Sequence, residues 1–252
     1  MMSNVNQTLA GRHILVTGGA RRIGAAIVRE LARAGAHVVI HCRESAEAAQ
    51  ATAREARACG VQAWVVTADL ADPADVERCM DAVLVATGGK LDGLVNNASH
   101  YPPSHLLSVP PYEIEDSLRL HAVAPLLLAR RMAALGGTGD IVNVLDARMT
   151  MYDADHAAYH LGKRMLLSLT SMLALELAPR FRVNAVAPGA VLQPDGEPVA
   201  ELERLAAFNP LQRHGSPQGV ADCVWFLMTC DFMTGQTLYY DGGYHLKAAT
   251  YG

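Results

Sequence analysis

Short apolar runs recur along the chain with no polar alternation inside most of them, and this feature narrows the fold more than any other. They are HILVTG from His13, HVVIHC from His37, QAWVVTAD from Gln62, LDGLVNNAS from Leu91, DIVNVLD from Asp140, FRVNAVAPG from Phe181 and TLYYDGG from Thr237. Strands rich in Val and Ile on both faces belong to a parallel sheet covered on both sides by helices. The segments between the runs supply those helices. In IGAAIVRELARAG, Ile23, Ile27 and Leu31 fall at i, i+4 and i+8 ahead of Gly35, which marks the stop. Asp72 is placed as an N-cap and Pro73 as the first helical residue before ADVERCMDAVLVA. Repeated strand-helix-strand units predict a doubly wound α/β fold.

The chain of 252 residues could hold one large or two small domains, but it shows no linker, internal repeat or low-complexity stretch. The expectation is a flexible N-terminus over 1–10 and a single domain over 11–252, with one loose, flap-like region from Leu192 to about Glu203. A formal charge of -4, without a basic stripe, weighs against nucleic acid and against a membrane surface as partners. Nowhere do eighteen apolar residues follow one another, and no signal segment opens the chain. Five scattered cysteines (Cys42, Cys59, Cys79, Cys223, Cys230) suggest neither a disulfide framework nor a metal site, so a reducing, cytoplasmic location is expected.

The first strand opens into TGGARRIG, Thr17 to Gly24, and then into a helix. Glycines let a backbone turn tightly and approach a pyrophosphate, which a helix N-terminus stabilises with its free N–H groups. The spacing is T-G-x-x-x-R-I-G, with Arg22 where a related pattern has its middle glycine, and the string also reads as a plain glycine-rich turn with two surface arginines. An NAD site usually ends the second strand in Asp or Glu to bind the ribose hydroxyls. His41 and Cys42 stand there instead, followed by Arg43 and Ser45, which suit a 2'-phosphate. NADPH is favoured over NADH, with Glu44 facing solvent; the alternative leaves Arg43 an ordinary exposed arginine.

Tyr159 and Lys163 form Y-x-x-x-K on a predicted helix, which puts both side chains on one face. An adjacent ammonium is expected to lower the Tyr159 pKa and improve the phenol as an acid. TGGARRIG, NNAS from Asn96, YHLGK from Tyr159, VNAVAPG ending at Gly189 and DGG from Asp241 occur in one order over nearly the whole chain. This resembles the short-chain dehydrogenase/reductase family. The resemblance implies a single Rossmann-type doubly wound domain with a seven-stranded parallel sheet flanked by helices. It also implies a homotetramer packed through the helices after Tyr112 and before Pro179.

Two positions depart from the family pattern. Asp146 stands thirteen residues before Tyr159, where most members have Ser, and His121 in HAVAP replaces an Asn of the proton relay. An ionised carboxylate only accepts hydrogen bonds, so it opposes a developing alkoxide and suits a C=N substrate bearing N–H donors. Asp146, Arg22 and the ring of Tyr101 in NNASHY are similar to the pteridine reductases, the dihydromonapterin reductase branch above all. That resemblance makes Asp146, Tyr159 and Lys163 catalytic. It puts Gly18, Arg21, Arg22, Ile23 and Gly24 around the cofactor phosphates, with His41, Arg43 and Ser45 near the 2'-phosphate. Asp69 and Leu70 would lie on the adenine side, and Asn97, Ala98, Ser99, Pro188 and Gly189 along the nicotinamide channel, with Tyr159 and Lys163 at the ribose. Substrate would meet Arg22, Ser99, Tyr101, Asp146 and Tyr159, with Tyr101 sandwiching a pterin against the nicotinamide. His121 reads equally as a satisfied structural histidine or as a relay member, and Met149 and Met151 either pack or line the substrate mouth. The expected activity is NADPH-dependent reduction of 7,8-dihydropterins. A ketoreductase of 3-oxoacyl thioesters and a non-catalytic NADPH-binding regulator are the alternatives.

Overall fold

The computed structural model describes residues 9–152, 154–193 and 199–249, with the backbone alone at Thr150, Val199, Ala248 and Ala249. All seven apolar runs form strands: β1 (His13–Val16), β2 (His37–Cys42), β3 (Ala63–Thr67), β4 (Gly93–Asn96), β5 (Gly139–Val144), β6 (Phe181–Pro188) and β7 (Thr237–Tyr240). They pair in parallel in the order β3-β2-β1-β4-β5-β6-β7. The order reverses between β1 and β4, and the crevice beyond the carboxyl ends of these strands is where an open α/β sheet receives its ligand.

The helices are α1 (Arg22–Arg33), α2 (Ala46–Ala58), α3 (Pro73–Thr87), α4 (Pro111–Leu118), α5 (Ala124–Ala134), α6 (Ala157–Glu176), α7 (Val199–Ala206) and α8 (Pro217–Thr229). Alternate residues of each central strand go to opposite faces. Ile14, Val16, Val38 and Ile40 pack with Ile27 and Leu31 of α1, Ala53 of α2 and Val224 of α8. Leu15, Val39, Leu94 and Ile141 pack with Met80 of α3, Leu128 of α5 and Leu173 of α6 on the other side. Two covered faces account for the lack of polar alternation, since each such side chain contributes about 1.5–3 kcal/mol when buried. Asp72 caps α3 by accepting from the Ala74 N–H at 2.9 Å, and Gly35 follows α1 with φ +90.

Three boundaries differ from expectation. The predicted flexible N-terminus falls mostly on residues 1–8, outside the described residues. Leu9 is already core, 1% exposed, with its N–H on the Ala34 carbonyl at 2.9 Å. Residues 194–198 of the predicted flap also lie outside the described residues, but 199–203 are helical in α7, where Leu202 and Ala206 are buried and Arg204 pairs with Glu201 at 2.6 Å. The helix expected after Tyr112 is divided: a π-helical turn, Arg119–Val123, separates α4 from α5. Such turns often mark functional sites.

Candidate active site

The carboxyl ends of β1 and β4 are spliced by Thr17. Its hydroxyl oxygen accepts from the N–H groups of Asn97 and Ala98 at 2.9 and 3.0 Å and donates to the Val95 carbonyl. The glycine turn then closes on itself. Gly18 has φ +62, and a Cβ on Gly24 would lie 2.1 Å from the Gly18 carbonyl oxygen. Asn97 Nδ2 ties the same turn through the Thr17 and Gly18 carbonyls. α1 starts with Arg21 as an N-cap without a side-chain cap bond and with no acidic residue in its first turn. A tight backbone cradle at an uncapped helix N-terminus fits a pyrophosphate. Arg21 is exposed and Ile23 half-buried. Arg22, with φ 54, donates from its guanidinium to the Gln193 carbonyl beyond β6, so it joins the cradle to the far side of the crevice.

His41 does not face a ribose. It is 2% exposed, accepts from the Gly18 N–H on Nδ1 at 3.2 Å and contacts the Ala68 carbonyl through Nε2 at 3.1 Å. The backbone partners require a neutral ring with its proton on Nε2, and burial lowers its pKa accordingly. The sequence places this histidine at the strand end, but strand alternation turns it under the turn as a brace. Arg43 is exposed and pairs with Glu44 at 2.9 Å, with the Glu44 side chain 78% exposed in solvent as expected. Ser45 is the N-cap of α2 and makes no side-chain cap bond. Asp69 turns Oδ1 onto the Ala71 N–H at 3.0 Å, and Leu70 is buried. Pro188 ends β6, and Gly189 lies so close to Asp241 that a Cβ would stand 2.8 Å from its Cα.

β5 leads directly into Asp146, which caps a 3-10 turn, Ala147–Thr150, through its own carboxylate. Tyr159 and Lys163 face it from the first turns of α6. The Tyr159 hydroxyl donates to Asp146 Oδ2 at 2.8 Å, and Lys163 Nζ donates to the Val144 carbonyl at 2.7 Å. Lys163 lies 5.7 Å from the Tyr159 ring centroid. The expected lowering of the Tyr159 pKa is reversed. Burial pushes the phenol well above its ordinary value and the Asp146 carboxylate adds to the rise. Burial also pulls the Lys163 ammonium down to about 8, against the attraction of Asp146. The charge in contact with the Tyr159 hydroxyl is the Asp146 carboxylate and not the Lys163 ammonium.

Arg148, two residues after Asp146, was not singled out by the sequence. Its guanidinium contacts Asp146 from Nη2 at 2.9 Å and Nε at 3.2 Å, and its Nη1 donates to the Tyr101 hydroxyl at 2.8 Å. Burial alone would raise the Asp146 pKa, but the guanidinium holds it below the ordinary carboxylate range. Tyr101 is brought to the site, edge-on to Tyr159 at 4.7 Å, while one face stacks on His156 at 3.6 Å. His156 was also unforeseen, and its only signal was its place just before α6.

His121, in the π turn, is 1% exposed. Its Nε2 lies 3.0 Å from the Ser99 hydroxyl and its Nδ1 2.9 Å from the Ser117 carbonyl. Burial and then the Lys163 charge hold its pKa well below the usual value. Gly162, inside the Y-x-x-x-K segment, lets α6 approach this histidine, because a Cβ there would meet the His121 Cβ at 2.9 Å. Met149 is core, 2% exposed, rather than a lining residue. No helix among the described residues is long and apolar enough to cross a membrane.

A family model described as Enoyl-(Acyl carrier protein) reductase matches residues 18–245. An uncharacterized oxidoreductase of Mycobacterium tuberculosis is 36% identical over 91% of this chain and 90% of its own length. Among solved structures, FolM alternative dihydrofolate reductase 1 from Brucella canis, complexed with NADP, is 34% identical. It covers 95% of this chain and 96% of its own with a TM-score of 0.87. The angucycline C-6 ketoreductase LanV with bound NADP is 30% identical over 95% of this chain and 97% of its own, with a TM-score of 0.88.

Proposed function

The chain belongs to the short-chain dehydrogenase/reductase family and is an NADP-dependent oxidoreductase, and from that premise we propose that it reduces 7,8-dihydropterins to their tetrahydro forms. Dihydromonapterin or dihydrobiopterin is the substrate, with dihydrofolate a poorer one. The observation that carries this reading is the ionised Asp146, held at 2.8 Å from the Tyr159 hydroxyl where a carbonyl substrate would need a donor. An acceptor-only group there favours an iminium over a developing alkoxide. The similarity to FolM alternative dihydrofolate reductase 1 supports the same substrate class.

When bound, NADPH would supply the hydride for C6 of the C6=N5 bond. The chain's part is to hold, orient and move the proton for N5. Burial keeps the Tyr159 phenol protonated, so the acid is loaded throughout the neutral range. Lys163, charged below about pH 8, and Arg148 offset the negative charge that accumulates when phenolate forms beside Asp146. Gly18, Arg21, Arg22, Ile23 and Gly24 would cradle the cofactor phosphates, Arg43 and Ser45 the 2'-phosphate, and Asp69 and Leu70 the adenine. Asn97, Ala98, Ser99, Pro188 and Gly189 would line the nicotinamide channel, with Lys163 on the ribose. The exposed residues Leu161, Met165, Met172 and Leu175 along α6 suit burial in a homotetramer.

Reduction of a 3-oxoacyl thioester or another carbonyl compound is the second reading. It is favoured by the similarity to LanV and by the Arg148 guanidinium, a donor at the same pole. NADPH oxidation followed in parallel with 7,8-dihydrobiopterin and acetoacetyl thioester tests the choice. Faster dihydropterin turnover is expected; turnover of the thioester alone overturns the assignment, and NADPH binding with neither turnover makes the chain a binding protein.

Two predictions arise here. Arg43→Ala should raise the NADPH KM at least about tenfold more than the NADH KM, because only NADPH carries a 2'-phosphate to pair. Equal effects would remove Arg43 from the cofactor site. Tyr101→Ala should weaken dihydropterin binding about tenfold, as loss of a stack and its buried area implies, with NADPH affinity kept. Unchanged pterin binding in a calorimeter would place Tyr101 outside the pocket.

A further inference from the structure

We propose that Arg148 is the positioning residue that locks Asp146 as a hydrogen-bond acceptor and thereby decides which substrates the Tyr159 proton can serve. Four donors converge on the two oxygens of Asp146. Oδ1 accepts from the Arg148 backbone N–H at 2.7 Å and from Nε at 3.2 Å. Oδ2 accepts from Nη2 at 2.9 Å and from the Tyr159 hydroxyl at 2.8 Å. A carboxylate has about four acceptor sites, and all are filled here, three of them by one residue. The fork is rigid, so a flexible ammonium could not replace the side-chain pair.

The same guanidinium reaches the substrate wall. Nη1 bonds the Tyr101 hydroxyl at 2.8 Å, and the guanidinium carbon lies 5.0 Å from the Tyr101 ring centroid. Arg148 therefore couples the ring expected to stack on substrate to the carboxylate beside the proton donor. The other titratable groups around Asp146 are Tyr159 and Lys163 from α6. Lys163 is engaged by the Val144 carbonyl, and His121 and His156 contact the Tyr159 and Tyr101 rings rather than the carboxylate. Burial opposes the charge on Asp146, and Arg148 is the main attraction that overcomes it. Without that side chain the acid takes up its proton at higher pH, and once neutral it presents a donor, which suits a carbonyl oxygen and not an iminium.

The test compares the full-length wild type with Arg148→Met and Arg148→Lys, each labelled with 13C at the Asp carboxyl carbon and titrated by NMR, with Asp146→Asn identifying the resonance. Arg148→Met should raise the Asp146 midpoint by about two pH units or more, and Arg148→Lys by less than half of that. The acid limb of kcat/KM should move with it, and Arg148→Met should shift nothing further in the Asp146→Asn background. Should Arg148→Met not fold, Arg148→Gln carries the same measurement. An unmoved Asp146 midpoint overturns the proposal. So does an equal loss of activity at every pH with the limb in place, which is the signature of packing alone. The kinetic consequence rests on the dihydropterin reading, but the NMR arm needs no substrate. A wild type that turns over only acetoacetyl thioester would sink that reading while leaving the role of Arg148 to the titration.

Discussion

Replacing Asp146 by Ser should lower dihydropterin turnover at neutral pH by about 10²-fold or more, the effect of losing a positioned acid–base group. The hydroxyl of Ser can donate where the carboxylate cannot, so slow reduction of a carbonyl compound should appear in the same variant. NADPH affinity should stay within a few-fold, because Asp146 bonds Tyr159 and Arg148 and no residue of the glycine cradle. The variant also leaves the Arg148 guanidinium without its carboxylate, so its thermal midpoint must be recorded beside its kinetics. The sign with pH follows from the lowered Asp146 pKa. Attraction between Asp146 and Arg148 is present above the unfolded carboxylate value of about 4 and is lost as pH falls through the lower folded value. The gap in stability between wild type and Asp146→Ser should therefore narrow in acid and stay constant near neutrality. Full dihydropterin turnover by Asp146→Ser would make the carboxylate incidental and remove the main chemical support for a pterin substrate.

Gly24→Ala should be the most damaging single methyl group at the cofactor end. Its Cβ would lie 2.1 Å from the Gly18 carbonyl oxygen and 2.7 Å from Asn97 Nδ2. Neither can retreat cheaply, since one is backbone and the other is bonded to the Thr17 and Gly18 carbonyls. Overpacking of this kind costs about 1–3 kcal/mol or more, and in a chain of this size each kcal/mol lowers Tm by about 2–4 °C. NADPH affinity should fall further than stability does, about a hundredfold, because α1 and the turn can separate only by opening the cradle. A calorimetric Kd equal to the wild-type value would show that the dinucleotide does not lie on this turn.

The pattern of local sequence fixes much of the fold because it is written at short range. Unalternated Val and Ile runs specify strands covered on both sides, and Asp72-Pro73 specifies a helix start whatever surrounds it. The i, i+4 spacing of Tyr159 and Lys163 puts them on one helical face in any context. The glycine turn, Asp146 and the Tyr101 ring were likewise legible, since each is a residue type tied to a motif.

Direction and charge balance were not legible. His41 sits at a strand end suited to a ribose, yet the pleat turns it under Gly18. Tyr159 was expected to be acidified by Lys163, yet its hydroxyl meets Asp146 first, and burial acts on both groups together. Arg148 stands two residues from Asp146 in plain view, but an arginine in a loop reads as surface until its guanidinium is seen between Asp146 and Tyr101. The sequence by itself determined the parallel sheet, the tight glycine turn and the placing of Tyr159 and Lys163 on one helical face, because periodicity and motif order need only neighbours along the chain. The tertiary structure alone decided which charges face one another out of water, because that depends on groups brought together from β5, α6 and the loop after β4, where distance and burial set the sign of every pKa shift.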